Sequence, residues 1–186
     1  MPHEAFIELA VREFSQLKRL ADRAIAQLPA DALFTQPGPV DNSVAVIMKH
    51  VSGNLRSRWQ DFLTTDGEKP DRNRDLEFII LPEDTREKLF AQWEESWATL
   101  FRELKPLGPA DLDRTVKIRG EPITVLQAIS RQLTHYAYHV GQIVYVARHL
   151  VGASWQSLSI PVGKSAQFNQ APAKYIVDLK TGGKTT

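Results

Sequence analysis

The chain has 186 residues, enough for one ordinary domain that buries its own core without disulfides or structural metals. Hydrophobic residues at 42% and charged residues at 24% exclude a disordered chain, and no apolar run nears the roughly 20 residues that span a bilayer. The 23 basic and 22 acidic residues leave no electrostatic footprint for nucleic acid, and the lack of cysteine excludes disulfides, thiolate metal sites and a cysteine nucleophile.

The opening stretch MPHEAFIELAVREF carries acids among its apolar residues and has no small-residue cleavage site, so it does not read as a signal peptide. With the absence of cysteine, this sets the expectation of a cytoplasmic protein. From about residue 3 to 28, Phe6, Leu9, Ala10, Phe14, Leu17, Leu20, Ala21, Ala24 and Leu28 recur at steps of three and four, the stripe of an amphipathic helix. Pro29, Pro37 and Pro39 end it. A second helix starts at Asn42 or Ser43, both good N-caps. It carries Val46, Ile47, Val51, Leu55, Trp59, Phe62 and Leu63 inward and stops before Asp66-Gly67.

Residues 64–82 form a polar connection that is long for a compact domain, and long connections are where function collects. Within it, Phe78-Ile79-Ile80-Leu81 reads as a strand fragment or as a segment packed on the core. Arg56, Arg58, Arg72 and Arg74 are the main basic concentration. Asp61, Asp66, Glu68, Asp71 and Asp75 are interleaved with them, the pattern of a solvated, salt-bridged surface. A third helix is expected from Pro82, with Glu83 and Asp84 suiting the positive end of its dipole. Its stripe is Leu89, Phe90, Trp93, Trp97, Leu100, Phe101 and Leu104. Residues 113–123 alternate around Arg119-Gly120 as a small hairpin would. The fourth helix runs from Thr124 to about Leu150, with Gly152 as a stop signal. After it, Trp155, Leu158, Ile160 and Phe168 are poor residues to leave in water and are expected to pack back on the helices. These signals predict an all-α four-helix bundle with a small hairpin before the last long helix. One domain is expected over residues 1–170, with a frayed tail at 171–186.

The chemistry lies in the fourth helix. His135 and His139 are four apart and share a face with Ile129, Gln132, Gln142 and Val146. Two imidazoles at that spacing can converge on one ion at roughly 2.0–2.1 Å. Gln132 and Gln142 lie about one turn to either side, placed to orient an imidazole or a water. In the second helix His50 follows Ile47 and Val46 on the inward stripe, with Asn54 and Arg58 one and two turns further on. A third imidazole facing the pair would leave coordination positions open, as in catalytic rather than structural sites. An H-x-x-x-H pair also occurs where both rings are merely satisfied or exposed. Tyr136 stands where the zinc-hydrolase motif H-E-x-x-H has its glutamate, so that class is not supported. His3 and His149 have no partner at ligand spacing, and His149 in a last helical turn suits the dipole.

One histidine in the second helix followed by H-x-x-x-H in the fourth resembles the DinB/YfiT-like superfamily of metal-binding four-helix bundles, to about residue 150. The segments His50–Trp59, Asp61–Glu68, His135–Gln142 and Ser154–Pro161 resemble an uncharacterised bacterial subfamily within it. The resemblance implies a bundle, a nickel or zinc-like ion on His50, His135 and His139, and a homodimer. It implies no reaction, because function resides in the site and not the fold. The expected function is therefore that of a divalent-metal-binding protein acting as a metal-dependent enzyme on a small molecule, in the manner of a hydrolase. Asn54, Arg58, Gln132, Tyr138 and Gln142 are the candidate substrate or ligand-orienting residues. Two alternatives stay open. One is transfer or isomerisation dependent on a low-molecular-weight thiol, as some relatives carry out, with arginines holding the cosubstrate's carboxylates. The other is a non-enzymatic, stress-related metal-binding protein. Dimer contacts are expected from the third helix or the C-terminal tail, where aromatic residues offer anchors.

Overall fold

The structure, a computed structural model, describes residues 2–170. The chain divides into two compact units, one ending at Ala153 and the other beginning at Ser154. The first holds four long helices: α1 (Pro2–Ile25), α2 (Val44–Trp59), α3 (Arg86–Leu104) and α4 (Val125–Val151). A two-stranded antiparallel sheet, β1 (Thr115–Ile118) and β2 (Glu121–Thr124), precedes α4. The second unit contains a short helix, α5 (Ser165–Asn169), and half-buries Trp155, Leu158, Ile160 and Phe168. The tail expected at 171–186 lies outside the described residues, as does the side chain of His3.

Helices α1 and α4 pack on one another, as do α2 and α3, and α2 also meets α4. The apolar stripes predicted from periodicity fill the space between them. Phe14, Trp59, Trp93, Trp97 and Tyr136 are all at most 1% exposed. Truncating such a side chain costs about 3–5 kcal/mol. Phe14 meets Trp59 edge-on at 6.0 Å, and Trp97 meets Tyr136 at 5.7 Å. A polar chain runs through this core. Trp59 Nε1 donates to the Tyr136 hydroxyl at 3.1 Å, which donates to Asn54 Oδ1 at 3.0 Å.

Local chemistry sets the element ends. Ser43 caps α2 by accepting from Val46 N, and Thr124 caps α4 reciprocally with Gln127. Several expected boundaries shift. Helix α1 ends at Ile25, although Leu28 stays buried, and Leu9 is 43% exposed. Helix α2 ends at Trp59 rather than near residue 65, because Asp61 adopts φ 51°, a left-handed conformation incompatible with a continuing helix. Phe62 is buried all the same, from the turn. Helix α3 begins at Arg86, not Pro82. Thr85 caps it by accepting from Lys88 N, while Asp84 turns back to pair with Lys49. The Phe78–Leu81 run is no strand: Asp75–Phe78 is a 3-10 turn, and Phe78, Ile79 and Ile80 are each at least 36% exposed.

The expected hairpin is present, turning at Arg119 and Gly120, both at positive φ as a tight hairpin turn requires. It is clamped to the 64–82 connection. Asp66 accepts the backbone N–H groups of Glu68, Arg119 and Gly120 at 2.7–2.8 Å, and Gly67 N donates to Lys117 O at 2.7 Å. Ser57 on α2 holds the same connection from the other side, donating to Gly67 O and accepting from Lys69 N. Among the described residues no helix is long and apolar enough to cross a membrane.

Candidate metal centre

Helices α2 and α4 bring His50, His135 and His139 together, with ligand-capable atoms all within 4.8 Å of one another. Nε2 of His135 and Nε2 of His139 are 3.1 Å apart. An ion about 2.0–2.1 Å from each nitrogen fits that spacing, whereas two bare lone pairs facing one another repel. Burial, together with the neighbouring His139 and His50, lowers the pKa of His135 to about 4. Burial also lowers that of His139. Both rings are therefore neutral at neutral pH, the form that binds a metal.

Two of the three imidazoles have their other nitrogen engaged. His139 Nδ1 donates to Gln142 Oε1 at 2.8 Å, and His50 Nδ1 donates to Glu77 Oε2 at 2.8 Å. Each contact places the proton on Nδ1 and leaves Nε2 free to coordinate, which is how metal-binding histidines are ordinarily oriented. His135 Nδ1 is buried without a hydrogen-bond partner. The chemistry and spacing of the donor set fit a divalent ion, and with three imidazole nitrogens as protein ligands the arrangement leaves positions for further ligands.

Glu77 was not anticipated from the sequence. It is 6% exposed, and Arg72 donates to both its oxygens at 2.8 and 2.9 Å. Burial pushes its carboxyl up, but the hydrogen bonds from His50 and Arg72 outweigh that and hold it below the usual carboxylate range. Its approach to α2 depends on Gly53. A Cβ there would stand 2.7 Å from the Glu77 carboxyl carbon and nearer still to one oxygen. The signals were the length of the 64–82 connection and an acid set inside the run Leu76–Leu81. The Phe78 ring covers His50 at 4.8 Å, and Arg74 lies over that same ring at 4.9 Å.

A cavity of about 400 Å³ opens over His50 and His135. Five arginines line it: Arg58, Arg72, Arg74, Arg119 and Arg131. The salt-bridged part of the expectation for the arginine cluster holds, but two of its members are buried rather than solvated. Arg58 is 7% exposed, and the Arg72 side chain is 4% exposed. Glu68 accepts from Arg58 at 2.9 Å and from Arg119 at 3.0 Å, while Arg56 remains at the surface with Asp71. Burial lowers the pKa of Arg58 from its ordinary value, with Glu68 opposing.

The other sequence candidates fall into place around this cavity. Asn54 lines it but spends Oδ1 on Tyr136. Gln132 lines it with Oε1 buried and unpartnered. Tyr138 stands at the rim, 64% exposed, its ring 5.0 Å from that of His139. Gln142 orients His139. His149 is exposed and stands outside the histidine group.

Residues 3–164 match the model of the family described as "Protein of unknown function (DUF1572)", and the chain belongs to that family. No curated protein matches the sequence.

Proposed function

We propose that the protein is a metal-dependent enzyme built on a DinB/YfiT-like four-helix bundle, with a metal ion on His50, His135 and His139, acting on a small molecule in the cavity over His50 and His135. The observation that carries this reading is the convergence of three imidazoles, two of them oriented through Nδ1, beside a cavity of about 400 Å³ that His50 and His135 line. That volume lies in the range of small-molecule sites. When bound, a nickel or zinc-like ion supplies Lewis acidity, lowering the pKa of water and polarising a substrate oxygen. Glu77 and Gln142 hold two of the imidazoles in the coordinating tautomer. Gln132 offers a buried acceptor to the substrate, and the arginines bind and orient an anionic portion of it.

Hydrolysis is the favoured reaction class. Transfer from a low-molecular-weight thiol is the second reading, supported by the arginines around the cavity, which suit the carboxylates of such a cosubstrate. The proposal includes a cytoplasmic homodimer formed through α3 or the segment after α4. Trp93 and Trp97 are fully consumed in the core, so α3 offers the half-buried Phe90 and Phe101 instead. Metal-loaded protein should turn over a hydrolysable small-molecule panel without added thiol. Turnover only on adding a thiol would favour the second reading, and no turnover in either condition with metal retained would favour a binding protein.

A further inference from the structure

We infer that the substrate is a small molecule with two anionic groups, carboxylate or phosphate, the outer of which is held by Arg74 and Arg131. The inference rests on the metal-site reading for its inner group, and on the cavity wall alone for its outer one.

Charge is unbalanced around this cavity. The chain as a whole is nearly neutral, at +1. Yet five guanidiniums line this cavity and no carboxylate does. Only Glu68 and Glu77 stand behind them, shared among Arg58, Arg72 and Arg119. Arg131 and Arg74 have no acidic partner among the described residues, and Arg74 only covers the Phe78 ring. Arg72 Nη1 is buried without a hydrogen-bond acceptor, since Glu68 lies 3.6 Å away, too far for one. A buried donor left unmade is costly, and an anion in the cavity would satisfy it. The three imidazoles bring no negative charge to offset a cation at the floor. Both ends of the cavity thus call for an anion, and guanidinium forks match the planar or tetrahedral oxygens of carboxylate and phosphate.

The test is calorimetric titration of metal-loaded and metal-stripped protein with matched probes: acetate against succinate, and inorganic phosphate against pyrophosphate. In one arm or the other, the probe with two groups should bind metal-loaded protein at least about tenfold more tightly than its single-group counterpart. The arm that shows the gain identifies the anion. The double variant Arg74→Ala/Arg131→Ala should abolish that gain, while Arg148→Ala, exposed near the C-terminal end of α4 and outside the cavity, should keep it. Arg74 and Arg131 are both exposed, so the fold should tolerate their loss, and an unchanged Tm checks this. Equal affinity within both pairs, or a gain that persists in the double variant, overturns the inference. Metal content is measured on the same samples. Retained metal without anion discrimination sinks this inference alone. Arginine-dependent anion binding by a protein that holds no metal upholds the arginine site and sinks the metal-site reading.

Discussion

Nδ1 of His50 and Oε2 of Glu77 stand 2.8 Å apart, joining α2 to a 3-10 turn 27 residues further along the chain. An ionised carboxylate can only accept, so a proton sits on Nδ1, and Nε2 is the nitrogen that could coordinate a metal. Glu77→Gln keeps the shape and removes the charge. It should weaken metal binding by about 10–100-fold, the usual effect of losing the group that orients a metal-binding histidine. Glu77→Ala should in addition destabilise the fold by about 3–5 kcal/mol, because it strands the buried Arg72 guanidinium. Competition with a chromogenic chelator checks the first effect and urea unfolding the second. Wild-type affinity in Glu77→Gln would show that the contact only supports the fold.

Gly53 supplies an independent probe of the same contact. Alanine in the middle of a helix normally stabilises by roughly 0.5–1 kcal/mol over glycine. Here its Cβ would collide with the Glu77 carboxyl group. Gly53→Ala should therefore lower both stability and metal affinity, reversing the usual sign. A gain in Tm with unchanged metal binding would contradict the packing described.

Asp66 links the connection to the hairpin and sets a pH dependence. Burial raises its carboxyl, but the backbone N–H groups of Glu68, Gly120 and Arg119 outweigh that and hold its folded pKa below the ordinary value. A depressed folded pKa gives stability that is present above the unfolded value, about 3.9, and is lost as pH falls through the folded one. Asp66→Ala should cost about 1–2 kcal/mol at neutral pH, the low end for bonds to a charged group, because water replaces part of them. The difference from wild type should shrink below about pH 4. Parallel urea titrations at pH 7 and pH 3 read it, and an equal gap at both would show that the carboxylate charge contributes nothing.

Tyr136 tests the core. Tyr136→Phe leaves Trp59 Nε1 without its acceptor and Asn54 Oδ1 without its donor, both buried. A loss of about 1–3 kcal/mol is expected from stranding such groups, with metal content unchanged. Metal loss in a folded variant would mean that the Trp59–Tyr136–Asn54 chain positions the site as well as the core.

The four long helices were legible because their apolar residues recur at the helical period and their caps, Ser43 and Thr124, are local signals. The hairpin was legible from alternation around Arg119-Gly120. Boundaries failed where tertiary contact imitates local pattern. Phe62 continues the α2 stripe from outside the helix, and Asp84 looks like a first-turn acid but answers Lys49. The three histidines were legible because residues four apart share a helix face and His50 shares the inward stripe of α2. Glu77 was not, because its contact with His50 depends on the path of an irregular connection that no periodicity encodes. For the same reason, Arg58 was legible as a neighbour of the site from its place two turns beyond His50, whereas the burial of Arg72 against Glu77 was not.

The central claim is tested most directly by metal stoichiometry after dialysis against a weak chelator, for wild type and for His50→Ala, His135→Ala, His139→Ala and His149→Ala. A single divalent ion per chain is predicted in wild type and in His149→Ala, and loss in each of the other three while their circular dichroism stays helical. Full retention of metal in His135→Ala or His139→Ala would contradict the three-histidine site.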